Sequence, residues 1–373
     1  MQKKGNAIGA IKKQQIQDNK RTIWIVILIY FTAHMPIKGQ ESKKYFYTGK
    51  KYGSEAMFNP LNHILNESYD IIQINSLNKN FRNIISTDYS YAIGSVFRNL
   101  SNPLQNISEY GKNHFINEQL IPNTTDFQWL PNYSLHVFGG GMNYAILREW
   151  YEHQGLSMPG LFSFATVMAG HLGNEIIESL YYENYRNNVD AIADVYLFDI
   201  AGIFIFSFNP IKKFFGEKLQ MTDWSSQPTI TVNDFSLQNH GKYYALKIPF
   251  PLFKKLCLFT HLGIGNIIGL SYKTDQEHSF SLGVGTKMKQ ITGLGSDISY
   301  RTALRLGIFY DKNNSLLASL IVNNEDFNFC NLNIYPGLFK SRKISPGFWS
   351  VVSKQGKVSL GVSTRLGFGL GYN

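Results

Sequence analysis

At 373 residues, with 44% hydrophobic and 14% aromatic residues, the chain has material for one large domain or two ordinary ones, and for a core or a lipid-facing band. Its formal charge of +10 does not signal nucleic acid. Residues 1–40 hold seven Lys or Arg against Asp18 alone, six of those ten charges, and the mild excess that remains is no argument for nucleic acid, which needs a clustered basic face. A mean hydropathy of -0.17 does not exclude a membrane, because a transmembrane barrel interleaves apolar with polar residues and leaves no long apolar run.

The amino terminus has the layout of an export signal. Lys3, Lys4, Lys12, Lys13, Lys20 and Arg21 precede a nine-residue apolar run, 23–31, which is too short to span a bilayer that needs about 20 residues. Cleavage is expected near Gln40, with a retained signal anchor as the alternative. Residues 41–135 read as a loop-rich segment with short strands at 45–47 and 70–74. Residues 136–215 read as a helical insertion. Gly139, Gly140 and Gly141 open its first helix, but no Lys-Ser/Thr pair follows as a phosphate-binding loop requires, so close backbone packing is the better account. Two further helices are expected at 161–182 and 189–208. Their acids argue against a lipid-exposed hairpin, since a charge at lipid depth costs several kcal/mol, and place them in or under the barrel.

From residue 216 the chain reads as strands. Apolar residues alternate with Gly, Ser and polar residues at 258–265, 279–286, 303–310 and, without a slip, from Val358 to Tyr372. A strand of about fifteen residues exceeds the usual soluble length. Asp311-Lys312-Asn313-Asn314, Asn323-Asn324 and Gln355-Gly356 are turn signals. The expected fold is therefore mainly β: an antiparallel transmembrane β-barrel of about 8–12 strands, seven or eight of them after Tyr243, with an inserted helical segment. A soluble exported sandwich or lipocalin-like barrel is the alternative, because it produces the same alternation. Cys257 and Cys330 lack metal or redox spacing and read as wall residues or one disulfide. The Asn-x-Ser/Thr triplets at Asn66, Asn99, Asn106, Asn123, Asn132 and Asn313 are attributed to chance in an asparagine-rich chain.

One constellation carries chemistry. On the helix at 161–182, His171, Glu175 and Glu178 share a face, and Asp190 and Asp194 share a face of the next helix by the i, i+4 rule. Antiparallel packing would bring an imidazole and up to four carboxylates together, able to bind a divalent metal or to activate water. The bland alternative is a polar seam paired with Arg148, Arg186 and Lys212. No His-Glu-x-x-His zinc motif, nucleophile elbow, Walker motif or dinucleotide fingerprint is present, so no cofactor is expected.

The run 52–61 (YGSEAMFNPL), Gly139 to Met142 with Glu149-Trp150-Tyr151, Asn174-Glu175, and Asp190 to Asp194 with Phe198 to Gly202 resemble uncharacterised outer-membrane barrel proteins of Bacteroidota. The stretch around Asp199 is also similar, over a short length, to VanZ-like membrane helices. The first resemblance implies an outer-membrane location and a barrel, and carries no catalytic residue. The expected role is a non-enzymatic structural or accessory subunit of an envelope complex, contacting outer-membrane lipid and other envelope proteins. A membrane-embedded hydrolase using the His/Glu/Asp cluster, or a small channel, is the alternative.

Overall fold

The computed structural model describes residues 43–74, 86–122, 129–181, 189–292, 299–339 and 345–373. The expected signal sequence, Asn123 and Arg186 lie outside them. Helices occupy the first half and a single sheet the second.

The helices include α1 (Gly53–Met57), α2 (Pro60–Ser68), α3 (Ser90–Ser101), α4 (Gly141–His153), α5 (Pro159–Tyr181) and α6 (Asp199–Phe206). The side chain of Asn59 accepts from the Asn62 amide, and Pro60 takes the first helical position, which together fix the start of α2. Close crossings use glycine. A Cβ on Gly173 would lie 2.1 Å from Ser68 Oγ, so α5 approaches α2 at backbone distance; one on Gly141 would lie 2.7 Å from the Gly202 carbonyl, which sets α4 against α6. Met142, Leu147, Val167 and Phe206 fill the space between them at 1% exposure or less. Full burial of each such side chain contributes about 1.5–3 kcal/mol.

Two expectations fail here. Beyond residue 52 the described part of the segment 41–135 consists of helices and their short connections, and no strand forms in it among the described residues. Its β-leaning pieces find other partners for their backbone donors. The amides of Tyr45, Phe46 and Tyr47 all donate to the buried carboxylate of Glu149, and 70–73 closes as a 3-10 turn whose Asp70 accepts from the Lys242 amide. The glycine triplet does not precede its helix either. Residues 132–140 are π-helical and run unbroken into α4, so the three glycines serve helix packing and form no phosphate loop.

Among the described residues the sheet has thirteen strands: β1 (Thr222–Asp223), β2 (Thr229–Thr231), β3 (Leu237–Gln238), β4 (Tyr244–Phe250), β5 (Phe253–Leu262), β6 (Gly265–Lys273), β7 (His278–Thr292), β8 (Ser299–Lys312), β9 (Ser315–Asn323), β10 (Cys330–Ile334), β11 (Gly347–Val352), β12 (Val358–Ser363) and β13 (Gly369–Tyr372). The order is β1-β4-β5-β6-β7-β8-β9-β10-β11-β12-β13-β2-β3, antiparallel throughout except for the parallel pair β13 and β2. This order leaves β1 and β3 as ends, so the strand ladder does not close into a barrel, and the count exceeds the 8–12 expected.

Those ends are nevertheless parts of one hairpin. Thr222 faces Ala245, and Thr229 faces Gln238. Between them the Trp224 and Ser226 amides donate to the carbonyls of Tyr243 and Gly241, in the same register.

The stretch 358–372 is two strands. Gly367, at φ 109, lies in the loop between β12 and β13, which pair with Leu360 opposite Tyr372. The loop keeps parity, so Val358, Leu360, Val362, Leu370 and Tyr372 all remain exposed, and the sequence alternation runs across the turn undisturbed. Truly long strands are β7 and β8, of 15 and 14 residues. The predicted Asn313-Asn314 turn is present, both residues at positive φ in a two-residue connection from β8 to β9. Cys257 and Cys330 are free thiols, the first buried. Asn66 is fully buried and its side chain donates to Asn62 and to the Ser226 carbonyl, which rules out a sugar there.

The two faces of the sheet are inverted relative to a soluble protein. The exposed face carries Leu270, Leu282, Val284, Leu304, Leu306 and Ile308 at 42–70% exposure. The buried face carries Lys247 beside Asp311, Lys287 beside Glu325 at 3.1 Å, and Arg305 donating to Asn323 at 2.9 Å, packed with Trp224, Phe259 and Phe309.

Candidate functional site

The helical half joins its polar residues through two π-helical segments, 132–140 and Asp194–Phe198. In an α-helix, residues five apart point about 140° away from each other. The Asp199 amide bonds the Asp194 carbonyl across five residues, and this wider turn brings both carboxylates to one side of the helix. His136, from the other π-helical segment, lies between them. Its Nδ1 is 3.0 Å from Asp199 Oδ1 and its Nε2 is 3.5 Å from Asp194 Oδ2.

His171 of α5 reaches the same carboxylate from the opposite side, with Nδ1 2.5 Å from Asp199 Oδ1 and Nε2 3.5 Å from Glu67 Oε1. The two imidazole rings stand 5.0 Å apart and perpendicular. Glu67 is held in turn by the Asn143 side-chain amide at 3.0 Å, while Asn174 donates to the Glu67 carbonyl. The string Asp194, His136, Asp199, His171, Glu67 thus alternates acid and imidazole. Gly140 makes room for it, since a Cβ there would sit 3.0 Å from His171 Cε1.

Beyond Asp194 the acids accumulate. Glu175 and Glu178 on α5 face Asp190 and Asp194, the convergence that antiparallel packing was expected to give. Burial, reinforced by Asp194, Glu178 and Asp190, pushes the Glu175 carboxyl well above the ordinary range. Burial and Asp190 raise Glu178 to about 8, and burial with Asp190 and Asp199 raises Asp194. Asp199 goes the other way: burial disfavours its charge, but His171 and His136 outweigh it and hold the carboxyl below its usual value. At His136 burial also opposes the charge, and Asp199, Glu175 and Glu67 overcome it and raise the imidazole to about 9.

Of the residues singled out from sequence, His171 is central and Glu175, Glu178, Asp190 and Asp194 form the acidic flank. The sequence reading missed His136 and Glu67 and passed over Asp199, on which the arrangement turns. The expected partner Arg148 instead bonds Glu152 on its own helix. Chemically, the set offers two imidazole nitrogens and a carboxylate, with donor atoms of His136, His171 and Asp199 all within 4.8 Å of one another.

A second polar cluster lines a cavity of about 80 Å³ on the buried face of the sheet, among Gln73, His261, Lys287, Arg305, Asn323 and Glu325. It has room for a few waters. No family model matches the chain, and neither curated proteins nor solved structures include one similar to it.

Proposed function

We propose that the chain is an outer-membrane β-barrel protein, anchored by its sheet in lipid and presenting its helices to other envelope proteins as a non-enzymatic structural or accessory subunit. The observation that carries this reading is the inverted sheet. A soluble sheet buries its leucines and wets its charges, whereas this one buries three cationic side chains with their partners and exposes a continuous aliphatic surface. Tyr272, Phe280 and Tyr310 stand in one register row at the edge of that surface, the kind of aromatic border that marks a membrane interface.

Closure has its support in the hairpin 222–245. Treated as two continuous strands, its first strand pairs with the second on one side and, through β2, with β13 on the other, giving a ring of eleven. An antiparallel meander with an odd number of strands closes on a parallel pair, which is the relation of β13 to β2.

The other readings have less support. The buried-face ion pairs leave little free passage for a channel, and an enzyme centre would need access for a substrate, whereas His171 and Asp199 are at most 1% exposed. Tyr196, Leu197, Ile200 and Phe204 expose an apolar stripe on the bundle that suits a docked partner.

Val284→Arg, on the exposed face, tests the lipid reading. Unfolding from lipid vesicles should show a loss of about 2–4 kcal/mol near the bilayer midplane, against a change within about 0.5 kcal/mol for a water-facing position. A neutral result, or wild-type protein that stays dissolved and monomeric without detergent, sinks the proposal.

A further inference from the structure

We propose that His136, His171 and Asp199 bind a divalent first-row transition-metal ion. Three features of the geometry point to a ligand set, in which the 3.0 Å hydrogen bond between His136 Nδ1 and Asp199 Oδ1 gives way to the ion. The donor atoms come from three separate helical segments and lie within 4.8 Å of one another. His171 Nδ1 and Asp199 Oδ1 approach to 2.5 Å without hydrogen-bond alignment, and the second carboxylate oxygen, Oδ2, is fully buried and has no hydrogen-bond partner.

The third feature is the outer layer. Each imidazole turns Nδ1 to the shared carboxylate and Nε2 to a further acid, Asp194 for His136 and Glu67 for His171, both at 3.5 Å. In metal-binding histidines a carboxylate on the far nitrogen orients the ring; here His171 Nε2 makes no hydrogen bond, and Glu67 and Asp194 stand near enough to take that place when an ion binds. Asn143, bonded to Glu67 at 3.0 Å, extends it by one more step.

Two nitrogens and one carboxylate oxygen suit zinc, manganese or ferrous iron and exclude the all-oxygen preference of calcium. Bonds of about 2.0–2.2 Å in tetrahedral geometry separate donors by about 3.3 Å, so binding requires His171 and Asp199 to part by several tenths of an ångström. The remaining position falls to water.

The test uses the untagged full chain in detergent micelles, stripped with a chelator and titrated with zinc or cobalt(II). One equivalent of zinc should bind, cobalt should give visible ligand-field bands of a low-coordinate site, and zinc should raise the melting temperature. Glu67→Gln should weaken binding by about 10- to 100-fold, and His136→Ala with His171→Ala should abolish both the bands and the thermal shift. Wild-type protein that takes up no stoichiometric zinc and gives no cobalt bands overturns the proposal irrespective of how the variants fold. Equal uptake by the double variant overturns it as well.

Discussion

Gly140 shows how little space separates a working arrangement from a broken one. Alanine there would gain up to about 1 kcal/mol of helix propensity, but its Cβ would meet His171 Cε1 at 3.0 Å, with Asp199 Oδ1 at 3.6 Å close behind. Both neighbours are buried and would have to shift together, so overpacking, at about 1–3 kcal/mol, should win. Gly140→Ala is expected to lower the melting temperature in micelles. Gly94→Ala, on α3 where nothing lies within 4 Å, should raise it by the propensity gain alone. Equal shifts for the two would mean that the His171 ring yields freely. At this scale the sequence disclosed His171, because its neighbours Glu175 and Glu178 repeat at helical spacing. It hid His136, an isolated imidazole in an apolar run, and Glu67, whose partners lie more than 70 residues away in the chain.

Among the elements, the π-helical turns explain what the periodic reading lost. A period of 100° per residue pairs Asp190 with Asp194 and turns Asp199 aside, whereas the five-residue bond at Asp194 restores Asp199 to the same side. The packing of α5 on this helix also sets a pH response. Glu178 has a folded-state value of about 8 against an ordinary 4.5, so folding retains a proton that the unfolded chain releases. Its contribution is complete below about pH 4.5 and is lost as pH rises through about 8. Glu175, raised by the same burial and neighbouring acids, acts in the same direction. Helical unfolding monitored by circular dichroism should therefore become easier between pH 6 and pH 9, and Glu178→Gln should flatten that dependence. A stability that climbs with pH over this interval would contradict the assignment. In the sheet, period-two alternation was legible for every long strand, yet it marks a face and carries no information on length. That is why 358–372 reads as one strand although Gly367 turns it back on itself.

For the molecule as a whole, the sequence announced helices inserted after a loop-rich start with short strands, then a sheet; helices and a sheet are present, but among the described residues no strand precedes the helices, so they are not an insertion. The number of strands and the path of residues 45–47 were not legible, since both depend on partners far away in the chain: β13 for β2, and Glu149 for residues 45–47. The proposed closure can be tested at that last seam. Ile230 and Leu370 are parallel neighbours, and converting both to cysteine in a Cys257→Ser, Cys330→Ser background should yield a disulfide under mild oxidation in lipid. No crosslink, alongside efficient crosslinking of an antiparallel control pair, would leave the sheet open. The parallel seam also dictates polarity. The bundle docks on the turns at 313–315, 336–337 and 365–367, while Asn373 contacts Asn233, Asp234 and Ser236 in the hairpin loop at the other rim. With the sheet anchored in lipid as proposed, an epitope fused after Asn373 and the apolar stripe at Tyr196 to Phe204 would occupy opposite compartments of a sealed vesicle, so an antibody added outside should reach one only when an impermeant label misses the other.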